Sequence, residues 1–201
     1  MRSFAIAVLS VATVVAALIV VGAPHARAAA PDIAIKRPAV FCQGEYALCI
    51  RALCTPDVAS GYVKCACVVE HGWSMGPGSC ESRKRAAEQG TPISTYSNRF
   101  NNEDKTLTCA KSETKWAWCY GARCTIDPNN PNAAICACPV KTGPMRTLGG
   151  QCERSSCNQV WSAATPQNDK FANRHFYRYM KKHHPDYPAN EPALACFSKR
   201  I

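Results

Sequence analysis

The chain has no Gly-x-Ser-x-Gly elbow, no His-Glu-x-x-His pair and no phosphate-binding glycine loop. These absences remove the local signatures of hydrolase nucleophile elbows, zinc peptidases and nucleotide-binding loops. Cys-x-x-Cys is missing too, so the spacing that dithiol oxidoreductases use is not on offer. Acidic side chains are scarce: 14 Asp and Glu face 24 Lys and Arg, giving a formal net charge of +10. No catalytic residue, cofactor or metal ligand set is therefore assigned from sequence, and what is present must be read instead.

The first stretch reads as a signal peptide over residues 1–28. Met1-Arg2 is a short positive n-region, and Phe4 to Val21 is apolar except for Ser10 and Thr13. Gly22-Ala23-Pro24 and the small-residue pattern Ala26-Arg27-Ala28 follow, placing cleavage after Ala28, or after Ala30 on a second triplet. The alternative is an uncleaved anchor, since about 18 apolar residues can span a bilayer. Export predicts a secreted or periplasmic protein with no membrane span once the peptide is gone. Loss of Arg2 and Arg27 lowers the charge from +10 to +8. A basic exported protein is drawn to anionic envelope surfaces, while intracellular nucleic acid is out of its reach.

Export also decides how the 14 cysteines are read. Thiols stay reduced in the cytosol, but in an oxidising compartment they pair, and roughly 8% Cys in the mature chain marks a disulfide scaffold. The even count predicts seven bridges. Twelve cysteines fall into two frames, Cys42, Cys49, Cys54, Cys65, Cys67, Cys80 and Cys109, Cys119, Cys124, Cys136, Cys138, Cys152. The intervening lengths are 6, 4, 10, 1 and 12 in the first and 9, 4, 11, 1 and 13 in the second. "LCTPD" is echoed by "RCTID", and "KCACVV" by "ICACPV", so an internal duplication is the simplest explanation. Cys157 and Cys196 remain for the C-terminal segment.

Within each Cys-Ala-Cys step the two sulfurs cannot readily join, because Cα atoms two residues apart on an extended chain are about 7 Å apart. Each step is therefore expected to staple one strand to two partners. "YVKCACVV" has the β-branched and aromatic content of a strand, with Ser60-Gly61 as a turn before it and Asp127-Pro128-Asn129-Asn130 before its counterpart. Units of about 40 residues depend on such cross-links. The expected fold class is small and disulfide-rich: two homologous β-hairpin and loop units with a C-terminal amphipathic helix.

The tract from Ile93 to Thr165, with "ISTYS", "WAWCYGARCTIDP", "ICACPV", "LGGQC" and "WSAAT", resembles small exported cysteine-rich bacterial proteins without an assigned activity, and residues 42–80 look like a reduced copy. That resemblance implies an envelope or secreted location and no reaction. The cysteine spacing is also similar to that of epidermal growth factor-like modules, which share a Cys-x-Cys step. This second likeness implies pairing of first with third, second with fourth and fifth with sixth cysteines. The long loop before Cys-Ala-Cys, and Gly143-Pro144 where an aromatic is expected, depart from that pattern.

The resulting organisation is a segment at 29–41, a first cysteine-rich unit at 42–89, a second at 90–156 and a basic helical tail at 157–201. Glu81 to Gln89 reads as a short helix, and "PISTYSNRF" as a strand of the second unit. A longer helix is expected from a cap at Asn168 or Asp169 to a stop at Pro185. Ala172, Phe176, Tyr179, Met180 and His183 fall on one face, and Lys170, Arg174, Arg178, Lys181 and Lys182 on the other, where they are the candidate contacts to an anionic surface. Histidines 175, 183 and 184, the group His71, Asp57, Glu70 and Ser74, and the indoles Trp73, Trp116 and Trp118 are weaker candidates for metal, catalysis and ligand contact. The function expected is a non-enzymatic module that binds an envelope or host macromolecule; the alternatives are a small secreted hydrolase or a membrane-active cationic effector.

Overall fold

Both Cys-Ala-Cys steps lie within long antiparallel strands, and the two strands are neighbours in one sheet. The computed structural model describes residues 39–56, 61–98, 106–148, 152 and 159–188. The expected signal peptide, Asp57, Asn-Asn-Glu-Asp at 101–104 and the Cys157–Cys196 bridge lie outside these residues. In chain order the elements are β1 (Val40–Leu48), β2 (Leu53–Pro56), β3 (Tyr62–Gly76), α1 (Cys80–Glu88), β4 (Leu107–Cys109), β5 (Lys115–Ala117), β6 (Cys124–Asp127), β7 (Asn130–Thr142), β8 (Met145–Thr147), β9 (Val160–Trp161) and α2 (Pro166–His183). Seven strands form one sheet with β3 and β7 at its centre, and β4 and β8 form a separate pair.

Strand periodicity explains the core. Along β3, Val63, Cys65, Cys67 and Val69 point inward while Tyr62, Lys64, Ala66 and Val68 point to solvent. On β7 the inward set is Ala134, Cys136 and Cys138. The pairing of β3 with β7 sets Cys65 opposite Cys136. Turn chemistry fixes the hairpins: Gly61 has φ of +67°, and Asp127 Oδ1 accepts from Asn129 N at 2.9 Å in the β6–β7 turn.

Six disulfides are present, nested identically in the two frames: first with sixth, second with fifth, third with fourth. They are Cys42–Cys80, Cys49–Cys67 and Cys54–Cys65, then Cys109–Cys152, Cys119–Cys138 and Cys124–Cys136. The pairing implied by epidermal growth factor-like spacing is not the one found. Hairpin register is the reason: Cys54 lies directly opposite Cys65, and Cys124 opposite Cys136, with Cα separations of 4.0 and 4.1 Å. Each Cys-Ala-Cys step does reach two partners. The four inner bridges pack with Ala47, Val63, Val69 and Ala134 into a sulfur-rich core, in which Cys49 Sγ lies 3.4 Å from Cys136 Sγ. So many bridges point to folding in an oxidising compartment.

The segment at 92–98 serves both halves of the sheet. Ala47 N donates to Ile93 O at 3.1 Å and Met75 N to Tyr96 O at 2.7 Å, while Ser94 N reaches Ala122 O at 2.8 Å. The chain after Cys157 also enters the sheet, because β9 pairs Val160 and Trp161 with Cys54 and Leu53.

Each helix starts at a hydroxyl cap. For α1, Ser79 Oγ accepts from Ser82 N at 3.1 Å. For α2 the cap is Thr165, whose Oγ1 accepts from Asn168 N at 3.1 Å, and not Asn168 or Asp169 as the sequence reading had it. Pro166 explains the shift: it holds Thr165 extended, and its missing N–H costs nothing at the first helical position. Helix α2 then buries Ala172, Phe176 and Met180 against Met75 and ends at His183, ahead of Pro185.

One close approach makes a test of this packing. A Cβ on Gly76 would overlap the Thr95 methyl and sit 3.2 Å from Arg83 Nη1. Gly76→Ala is expected to destabilise by about 1–3 kcal/mol, the usual cost of overpacking, read as a lower denaturant midpoint with an unchanged slope.

Candidate functional site

Helix α2 carries the chemistry that the sequence singled out. Lys170, Arg174, Arg178, Lys181 and Lys182 are all exposed, and none forms an ion pair with a described carboxylate. Their side chains occupy one side of the helix because steps of four and seven residues return to nearly the same azimuth. Three of the groups in the last turn are basic, which suits the negative end of the helix dipole.

Beside the cations runs a ladder of rings that the sequence did not foretell as a unit. Phe171 meets His175 at 5.4 Å, His175 meets Phe41 at 5.4 Å, and Phe41 stacks on Tyr179 at 3.8 Å with only 2° between planes. Tyr179 continues to His183 at 4.7 Å, and Trp73 lies on His184 at 4.1 Å. Phe41 and Trp73 come from β1 and β3, so the ladder fastens α2 to the sheet while leaving ring edges half-exposed. Of the other indoles, Trp116 is a core residue at 1% exposure and Trp118 is half-buried beside it, 6.0 Å away. Each of the three histidines lies against a neighbouring ring.

Behind the helix lies a cavity of about 70 Å³, bordered by Thr95, Trp118, Tyr120, Arg146, Asp169 and Ala172. Arg146 Nη1 pairs with Asp169 Oδ2 at 3.2 Å on its wall. A cavity of roughly 150 Å³ is what a benzene ring occupies, so this space suits a few waters at most. A larger groove of about 330 Å³ between β1 and α1 sets Arg83 and Lys84 against Glu45 and Glu88, and its charges cancel.

Arg83 is the unforeseen charged group of the interior, 6% exposed. Its guanidinium donates to Val40 O at 3.0 Å and to Ser74 O and Ser74 Oγ, all neutral oxygens. Burial lowers its pKa, partly offset by Tyr120 and Tyr46. The Tyr120 hydroxyl is itself buried without a partner among the described residues, and burial pushes its pKa up to about 12 against the pull of Arg83. A raised phenol pKa favours the folded state below the unfolded value of about 10, and that contribution is lost as pH rises towards 12. Ultraviolet titration is expected to show a phenol ionising near pH 12 that Tyr120→Phe abolishes.

Of the group around His71, Asp57 lies outside the described residues, and His71 and Ser74 face different ways. The His71 imidazole is 74% exposed and faces Glu45 at 3.6 Å, whereas Ser74 Oγ points inward to Arg83. Cysteine trios whose sulfurs gather within 4.8 Å, such as Cys49, Cys124 and Cys136, consist of disulfide sulfurs and present no thiolate. Among the described residues no helix is long and apolar enough to cross a membrane. Compared with protein-family models, curated proteins and solved structures, the chain finds no match.

Proposed function

We propose that the protein is an exported, non-enzymatic binding module that docks on polyanionic envelope material through α2. The observation that carries this reading is the row of five exposed cations, Lys170, Arg174, Arg178, Lys181 and Lys182, without ion-pair partners among the described residues. In this reading α2 is amphipathic, with its apolar side held to the sheet and its basic side facing the partner. Half-exposed Phe41, Tyr179 and Trp73 alongside would add interfacial contact. The matched nesting of bridges in the two frames supports descent from one duplicated unit, in keeping with the likeness to small exported cysteine-rich bacterial proteins.

The shared chemistry of the partner is a dense array of phosphate or carboxylate groups, whether on phospholipid, lipopolysaccharide or acidic polysaccharide. Binding is measured by co-sedimentation with anionic and zwitterionic vesicles and by retention on an acidic polysaccharide, each across a salt series. Binding that is selective for anionic material and weakens with salt is the expected result. Equal partition onto zwitterionic vesicles, or none onto any anionic material at low salt, would rule the reading out.

A further inference from the structure

Among the described residues, the outer face of the central sheet is exposed and largely apolar. Its cross-strand pairs along β3 and β7 are Tyr62 with Pro139, Lys64 with Ala137, Ala66 with Ile135 and Val68 with Ala133. Lys64 is the one charged residue among these eight. Leu53 on β2 borders the same strip, and the exposures of Leu53, Tyr62, Val68 and Ile135 are 37, 47, 40 and 41%. These are the largest exposed apolar side chains of the described residues; register sets Ile135 opposite Ala66 and next to Val68, while Tyr62 stands at the far end, beyond Lys64. An apolar cluster such as Ala66, Val68 and Ile135 marks an interaction surface, unlike scattered single side chains.

At one margin the strip runs into a groove of about 200 Å³, where Leu48, Ile50, Ala66 and Val68 form the walls and Arg51 and Glu70 supply the charges. Among the described residues neither Arg51 nor Glu70 has an ion-pair partner. One free cation and one free anion bordering an apolar strip form a pattern that is its own complement. When two copies meet about a two-fold axis, Arg51 of each can face Glu70 of the other, which is the reciprocity that an isologous interface requires.

We propose that the protein forms a two-fold homodimer through the outer face of β3 and β7, with Arg51 of one copy paired to Glu70 of the other. This surface is separate from the basic side of α2, so the inference does not depend on the binding function proposed above.

The test is sedimentation velocity and light scattering on the oxidised protein recovered after expression with its own N-terminal stretch. A concentration-dependent dimer is expected. Val68→Asp together with Ile135→Asp should weaken association at least tenfold while leaving near-ultraviolet circular dichroism unchanged, because both side chains lie outside the core. Arg51→Glu and Glu70→Arg should each weaken it, and mixing these two single variants should restore a dimer, since only the mixed pair matches opposite charges at both contacts. A strictly monomeric protein overturns the proposal. So does a dimer indifferent to Val68→Asp and Ile135→Asp, or a mixture of the charge variants that fails to recover association; either result would assign the face to a different partner or to another segment of the same chain.

Discussion

Replacing Cys54, Cys65, Cys124 and Cys136 together by alanine is expected to leave a chain that does not fold at room temperature, although four native bridges remain possible. Each of the two short bridges contributes at most about 3 kcal/mol through loop entropy, and the surviving outer bridges reduce that share because they already restrict the same loops. Packing supplies the rest. These four residues are 0–1% exposed, and their sulfurs run across β2, β3, β7 and β6 at the centre of the sheet. Deleting each buried sulfur costs about 1 kcal/mol of transfer free energy plus a cavity contribution. The sum is about 5–10 kcal/mol, as large as the net stability of a typical small domain. Replacing Cys42 and Cys80 instead removes a bridge with one exposed end, outside the sulfur cluster, and should lower stability by about 4 kcal/mol without loss of fold. Denaturant unfolding followed by tryptophan fluorescence separates the two outcomes. A quadruple variant with the native midpoint would show that the core does not rest on its sulfurs.

The central strands were legible because a two-residue spacing of cysteines has only one comfortable reading on an extended chain, two staples on one face. Helix α1 and the end of α2 were legible for a similar reason, since caps and prolines act within one turn. Partner choice was a different matter. Nested pairing follows from Cys54 lying opposite Cys65, and that register is a property of the hairpin and not of the spacing alone. The merger of the two frames into one sheet depends on β3 meeting β7, a contact between residues far apart in sequence whose only local trace is that both strands carry the same inward pattern. Arg83 stands in the run Arg83-Lys84-Arg85, and nothing in the local sequence sets it apart from its neighbours. Its burial depends on β1 and β3 offering Val40 O, Ser74 O and Ser74 Oγ at the right distance, which no local pattern announces. The ring ladder had no local trace, because Phe41 and Trp73 join it from other elements.

Changing Lys170, Arg174, Arg178, Lys181 and Lys182 to glutamine is expected to abolish measurable binding to anionic vesicles or acidic polysaccharide while leaving the fold intact. Near an anionic surface each basic side chain contributes about 1 kcal/mol, so five together correspond to a loss of about three to four orders of magnitude in affinity. Stability should change little: the five side chains are exposed and have no ion pair with a described residue to lose, and glutamine keeps good helix propensity. The main cost is the weaker complement to the helix dipole in the last turn, a few tenths of a kcal/mol per charge. Single substitutions should each weaken binding by a similar factor and flatten the salt dependence in proportion, because charges on a mobile, hydrated surface act nearly additively. A sharply unequal series, with one residue carrying most of the loss, would instead mean a shaped pocket for a defined ligand. Unchanged binding in the five-fold variant would remove α2 from the contact altogether.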